Sequence, residues 1–483
     1  MKRLFALFLV ALMIFALVGC GSKKREIIEV TLSTEDAEAI LAAAGIVLPA
    51  ADEVACANTT FKWFAWYDDF HNYSEDEVVN TGFYTFKEKY GCDLTWVETT
   101  WDTRFDDLAN QLLGGTPPDA YPGDTETFPT NCIKGMFQPV DDYIDYDDPL
   151  WVEMKDFAKT YFTLAEGTYM IITDLTANHV VAYNRRVIDE WGFDDPAALY
   201  YNDEWTWNKF FEMCVDFSDP DEDRYALDGW YYDTALMDSA GVNTVSYDPA
   251  TYTFVSNLDD PRLERAANLV NDLKKNDCIY PVWDKGWETR AGNDVQGAGI
   301  KDGLCLFWVV GTWGFTDTVE VMSHQWGDVT AGEIMFAPLP RDDAGDGSYN
   351  MQIKTVGYCI VEGAENPEAV ALLASCDRFK ILDPTVISID RKQLRETYYW
   401  TDEMLEMYDA CYDIANSDHA FVDYDVGLGS KLTNSVGEFK KMGRMATAQT
   451  WAQMKEKYTE QVEYYLNELN TDVATFLAGG EVD

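Results

Sequence analysis

Fifteen apolar residues, Leu4 to Val18, follow Met1-Lys2-Arg3. A helix needs about 20 apolar residues to span a bilayer, so this run suits the core of a signal peptide. Residues 21–58 hold no aromatic side chain and an Ala-rich stretch from Ala37 to Gly45. That composition reads as a tether carrying one short helix. Aromatics begin abruptly at Phe61-Lys62-Trp63-Phe64-Ala65-Trp66, which predicts a strand entering a core. Val78, Val79, Phe83 and Phe86 fall on one face of a helix predicted over Glu75 to Tyr90, with Gly91 as its stop. Asp93 to Val97 alternates as a second strand. Arg104 to Leu113 predicts a second helix, ended by Gly114-Gly115. This β-α-β-α order argues for an α/β architecture with a largely parallel sheet.

Composition narrows the class of partner. The chain has 36 basic and 85 acidic residues, a formal charge of −49. Residues 1–19 carry two of the basic groups and no acid, so the chain without them stands at −51. Such a charge repels nucleic acid and anionic lipid head groups. With 47% hydrophobic residues and 16 Trp, there is nevertheless ample material for a core, so the charge belongs to an acidic surface. At roughly 100–200 residues per domain, the length suggests two or three domains.

The apolar run ends Leu17-Val18-Gly19-Cys20-Gly21-Ser22, which resembles the bacterial lipoprotein processing box. That resemblance implies cleavage before Cys20 and a diacylglycerol on its thiol. Two acyl chains anchor a protein stably, so Cys20 would tether the chain to the membrane without a transmembrane helix. Lys23-Lys24-Arg25 would sit near the head groups. Nine further cysteines are scattered, odd in number and without a C-x-x-C pair. They are expected as buried free thiols, because a disulfide framework or a zinc site would need patterned pairs.

A series of landmarks from about residue 60 to 470 resembles family 1 extracellular solute-binding lipoproteins, the sugar-capturing receptors of ABC importers. They are, in order, the turn Leu113 to Asp119 with its Pro118-Asp119, and Gly135 to Ile144 with Pro139-Val140-Asp141-Asp142. Next come Tyr183-Asn184-Arg185-Arg186 with Trp191-Gly192-Phe193, then Trp205-Thr206-Trp207. Gly303 to Trp313, Phe336 to Pro340, and Gly363 to Ala369 with Asn366-Pro367-Glu368-Ala369 complete the set. The resemblance implies a two-lobed α/β fold of the periplasmic-binding-protein type II kind, with hinge crossings and a ligand cleft. Lobe one is expected over 59–163 plus 355–405, and lobe two over 164–354 plus 406–483. Carbohydrate as ligand, permease subunits as partners and a monomer without cofactor are implied as well.

A neutral sugar offers hydroxyl edges and apolar ring faces, so its site needs aromatic platforms and carboxylates or amides. Ligands of α/β sheets bind at the carboxyl ends of strands. Trp66 and Asp68, with Tyr67 and Asp69 beside them, follow the first strand, while Trp63 reads as core. The resemblance nominates Asp124 and Glu126 beyond the Pro-Asp turn, Asp228 and Trp230, and Trp313 as a platform. Asp174 and Asn178 are further cleft candidates. Trp308 lies in Leu306 to Val310, which reads as a buried strand.

Asp219-Pro220-Asp221-Glu222-Asp223 spaces carboxylates like the start of an EF-hand loop. Arg224 and Trp230, however, replace the glycine and the bidentate acid that calcium needs, so an acidic turn is the better reading and no metal is expected. No G-x-S-x-G elbow, P-loop or dinucleotide fingerprint is present, and no catalytic residue is assigned. The alternatives are a polyamine or peptide receptor of the same fold, because cations also bind ring faces, and a secreted glycosidase.

Overall fold

A computed structural model describes residues 34–68, 70, 80–229, 231–285 and 299–482. The signal segment 1–19, Cys20, Asp69, Trp230 and the start of the helix expected from Glu75 lie outside the described residues. Two sheets organise the molecule. In the first, the order is Ala420–Phe421, Met351–Ile360, Ala120–Pro122, Thr60–Ala65, Asp93–Glu98, and Ile171–Ala177 also pairs with the long strand Met351–Ile360. Thr60–Ala65 runs parallel to both Asp93–Glu98 and Ala120–Pro122. The helix Thr81–Tyr90 makes the crossover between the first two. Asn80 caps it by accepting from Phe83 N at 2.9 Å, and Gly91 ends it at φ +66°, where glycine carries no Cβ penalty. Phe83, Phe86 and Tyr90 are buried on its inner face. The second expected helix spans Arg104–Leu113.

The sheet is mixed: beyond this β-α-β part, Ala420–Phe421 is parallel to Met351–Ile360, while the remaining pairings are antiparallel. Met351–Ile360 is antiparallel to Ala120–Pro122 and to Ile171–Ala177. The second sheet is also mixed, in the order Ile334–Ala337, Val180–Asn184, Cys305–Val310, Tyr225–Asp228. Cys305–Val310 and Tyr225–Asp228 are parallel, and Val180–Asn184 opposes both of its neighbours. Strand Cys305–Val310 is buried throughout, Trp308 included, and Trp63 is buried in the first sheet.

The crossings between the lobes lie where the ladders change hands. The chain leaves the first sheet at Ala177, enters the second at Val180, and returns along Met351–Ile360. The hinge ladder pairs Ile353 with Ala177 through to Tyr358 with Ile171. A bulge interrupts it between Val356 and Gly357. A Cβ on Gly357 would sit 1.9 Å from Ile171 O, and one on Gly123 would sit 2.5 Å from the Gly357 carbonyl carbon. Only glycine lets three strands meet this closely.

The landmarks of the sequence prove to be joints. Asp119, 1% exposed, accepts from Lys62 N at 2.8 Å and from Asn366 N at 2.7 Å, tying the first strand to the start of the helix Pro367–Leu382. Asp141 accepts from Thr168 N at 2.6 Å. Trp205 donates from Nε1 to Pro338 O at 2.8 Å, joining two further landmarks. Asn184 caps the following helix at Val187 N and donates to Trp326 O at 2.8 Å.

Over its described part, the segment 20–58 carries a short helix and rests against the helix Thr81–Tyr90. Ala37 and Leu41 of the helix Thr34–Ala43 are buried, Lys89 Nζ donates to Leu48 O, and the Tyr90 hydroxyl donates to Pro49 O at 2.9 Å. Small apolar side chains suffice to dock it. Of the nine cysteines after Cys20, eight are buried and Cys56 is half-buried, with no disulfide among the described residues. No helix among the described residues is long and apolar enough to cross a membrane.

Candidate functional site

In the first sheet, the three parallel strands end together at Ala65, Glu98 and Pro122, so the loops behind them share one edge. Trp66 follows the first strand, half-buried, and its indole meets Trp101 edge-on at 4.8 Å and 82°. Tyr67 lies 5.1 Å and Tyr121 6.1 Å from the same ring. Trp101, in the loop after the second strand, is 46% exposed. The Arg104 guanidinium lies 3.8 Å from the Trp101 ring centre, 4.8 Å from Phe105 and 5.7 Å from Trp66. Its Nη2 pairs with Glu126, and both side chains are enclosed, at 7% and 10% exposure. Its Nη1 donates to the Trp101 carbonyl.

Asp124 caps the short helical turn Thr125–Thr127, accepting from Glu126 N at 3.3 Å, and so sets the direction in which Glu126 projects. Asp68 is nearly buried, and its Oδ1 accepts from Phe70 N at 3.0 Å, shaping the turn after the first strand. The structure thus brings Trp66 and Glu126 together through Arg104, with Asp124 behind Glu126. Asp68 lies on the same edge with one oxygen committed to its own turn.

Sequence reasoning passed over Trp101 and Arg104. The signal was present, since Glu98-Thr99-Thr100-Trp101 follows a strand as Trp66 does, and the strand-end rule applies equally to both.

In the second sheet, the parallel strands Tyr225–Asp228 and Cys305–Val310 present the corresponding edge. Asp228 pairs with Trp308 across the ladder, is 4% exposed, and turns Oδ1 back onto Gly229 N at 2.7 Å. Gly229, at φ +115°, lies against the Trp308 indole, where a Cβ would approach to 3.0 Å. Trp313 stands on the turn Thr312–Phe315 after the other strand, 45% exposed. No ring or cation among the described residues stacks on it.

Between the two edges lies a polar bridge. His179, in the two-residue crossing before the second sheet, meets the Tyr231 ring at 4.6 Å. Burial pushes the imidazole down to about 3, and Lys440 and Lys354 add to the fall, so it is neutral at physiological pH. Burial raises the Tyr231 phenol. Arg444 opposes the rise, and the Glu126 carboxylate from the other edge adds to it. Asp174 sits on the crossing strand, where the Tyr412 hydroxyl donates to it at 2.8 Å. The Asn178 amide N–H donates to Gln352 O at 3.2 Å.

The acidic turn at 219–223 is held by its own cations. Arg224 pairs with Asp219 and Glu222, each at 3.2 Å, and Lys285 pairs with Asp223. No cluster of metal-ligating side chains occurs among the described residues.

A family model described as bacterial extracellular solute-binding protein matches residues 83–376. The chain belongs to that family. Its members are binding proteins that work outside the cytoplasm. The fold agrees. A substrate-binding protein from Listeria monocytogenes, solved with cycloalternan, is 14% identical with a TM-score of 0.58, over 86% of this chain and 99% of that one. A Streptomyces glaucescens receptor solved with acarbose is 15% identical at 0.57, over 84% and 98%. The Bifidobacterium longum galacto-N-biose/lacto-N-biose I-binding protein is 13% identical at 0.55, over 88% and 98%. No curated protein matches the chain. At these identities the likeness establishes the two-lobed fold.

Proposed function

We propose that this solute-binding protein is the receptor of an ABC importer, that it captures a carbohydrate between its lobes, and that it hands the ligand to the permease. The observation that carries this reading is the pair of strand-end edges. One has Trp66 and Trp101 set at right angles beside Glu126, and the other has Trp313 with an open face. Flat apolar faces beside hydrogen-bonding carboxylates are what a sugar ring with equatorial hydroxyls demands. The fold neighbours add weight, since the proteins quoted above were solved with, or are named for, oligosaccharides.

Trp66, Trp313 and Glu126 are the leading ligand contacts, with Asp68, Asp124, Asp228 and Trp230 as further candidates. The chain binds without covalent chemistry, acts as a monomer, and is held to the membrane by lipid on Cys20. The two lobes close over the ligand about the crossings near 178 and 350.

A thermal-shift screen of the purified chain against neutral oligosaccharides, spermidine and peptides tests this. A ligand that binds only the folded state raises Tm by mass action. A shift with spermidine or peptide and none with any sugar would overturn the carbohydrate assignment. Time-dependent release of reducing ends would replace it with a glycosidase.

A further inference from the structure

We infer that Arg104 is a resident cation of the lobe-one edge, which excludes cationic solutes from the Trp66–Trp101 corner and positions both rings and Glu126 for a neutral ligand. The inference rests on that edge being the solute site, and adds Trp101 and Arg104 to its residues.

The negative face of an aromatic ring attracts one cation strongly. On Trp101 that place is taken, with the guanidinium carbon 3.8 Å from the ring centre and within 5.7 Å of Trp66. One of the edge's enclosed carboxylates is taken too, since Glu126 is paired with the same guanidinium. Arginine remains charged at every physiological pH, so it cannot yield its place by losing a proton. An ammonium entering this corner would meet a fixed like charge in surroundings of low dielectric, where repulsion is much stronger than in water. A neutral polyol meets no such penalty. The whole chain, with 85 acids against 36 bases, draws cations towards its surface. Arg104, paired with Glu126, cancels that preference locally, at the rings themselves.

The geometry also makes Arg104 a positioning residue. One planar group reaches the Trp101 carbonyl, Glu126 and the faces of Trp101 and Phe105. It holds Trp101 at 82° to Trp66 while the ring keeps 46% of its surface exposed for a ligand. A lysine would retain the charge and lose the flat, forked fit.

The test compares the full chain with R104M, R104K and R104M/E126Q, using spermidine and a set of neutral oligosaccharides including maltotetraose as probes. R104M is expected to bind spermidine at least tenfold tighter than the natural chain, a gain that R104K and R104M/E126Q do not share. A spermidine affinity that is equal in R104M and the natural chain would overturn exclusion, as would tight spermidine binding by the natural chain. The Trp66–Trp101 pair should give a near-ultraviolet circular dichroism band that R104K alters and W101F abolishes. A band unchanged in R104K would overturn the positioning role. If R104M fails to melt cooperatively, R104M/E126Q decides through the sugar arm, where at least a tenfold loss is expected and unchanged affinity contradicts the inference. A natural chain that binds no sugar removes the carbohydrate reading alone, because the spermidine gain in R104M still reports on exclusion.

Discussion

The lobe-one edge is assembled within the free chain. Arg104 fixes Trp66, Trp101 and Glu126 to one another, and Asp124 caps the turn that carries Glu126. The lobe-two edge is built otherwise, with Trp313 45% exposed on a short turn and Asp228 folded back on its own loop. A pre-organised half can receive a ligand at small entropic cost. A half with an open ring gains most when the lobes close and that ring is buried. The two edges therefore divide the work of capture, and substitutions on them should fail in different ways.

The largest effect belongs to lobe one and falls on stability. Glu126→Ala leaves the Arg104 guanidinium enclosed without its carboxylate. Breaking a buried pair from one side costs about 3–5 kcal/mol, so chemical denaturation should show a clear loss even without ligand. On lobe two, Trp313→Ala should leave Tm within about 1 °C and cost about 2 kcal/mol of binding, roughly thirtyfold in Kd. If both variants lost stability alike, or both lost only affinity, the contrast between the edges would collapse.

The hinge strand between them gives a smaller, pH-dependent effect. Burial raises Asp174 to about 6, against the opposing pull of the Tyr412 hydroxyl and Arg378. An unfolded aspartate titrates near 3.9, so the folded state binds this proton more tightly. The penalty is absent below about pH 4, grows as pH rises through 6, and is complete above that. Asp174→Asn, which cannot ionise, should therefore raise Tm at pH 7.5 and give no difference near pH 4. A constant difference across that range would remove Asp174 as the cause. The smallest effect is expected at the acidic turn. There Arg224 and Lys285 already hold three carboxylates, so Asp221→Ala should stay within about 0.5 kcal/mol. Addition of calcium should leave Tm unchanged in both chains.

Much of lobe one was legible in the sequence because its elements are local. The aromatic run at Phe61 to Ala65, the helix Arg104–Leu113 and the stop at Gly91 each follow from a few neighbouring residues. The mixed character of both sheets was not legible. Met351–Ile360 pairs with strands more than 170 residues away, and periodicity does not report the direction of such a partner. The same holds for the site. Trp66 could be named from its place after a strand. The clamp joining Arg104 to Glu126 could not, because it spans 22 residues and two elements. Two of the landmarks, Asp119 and Trp205, are buried and hold the fold together. They report architecture, and the ligand must be read from less regular residues such as Trp101 and Trp313.

The central claim is that the two edges together hold a neutral sugar. Its most direct measurement is a tryptophan-fluorescence titration of the full chain with neutral oligosaccharides and, separately, with spermidine. A saturable change with at least one oligosaccharide, shifted roughly thirtyfold in midpoint by Trp313→Ala, and none with spermidine, is the expected result. A saturable response to spermidine with none to any oligosaccharide would contradict it.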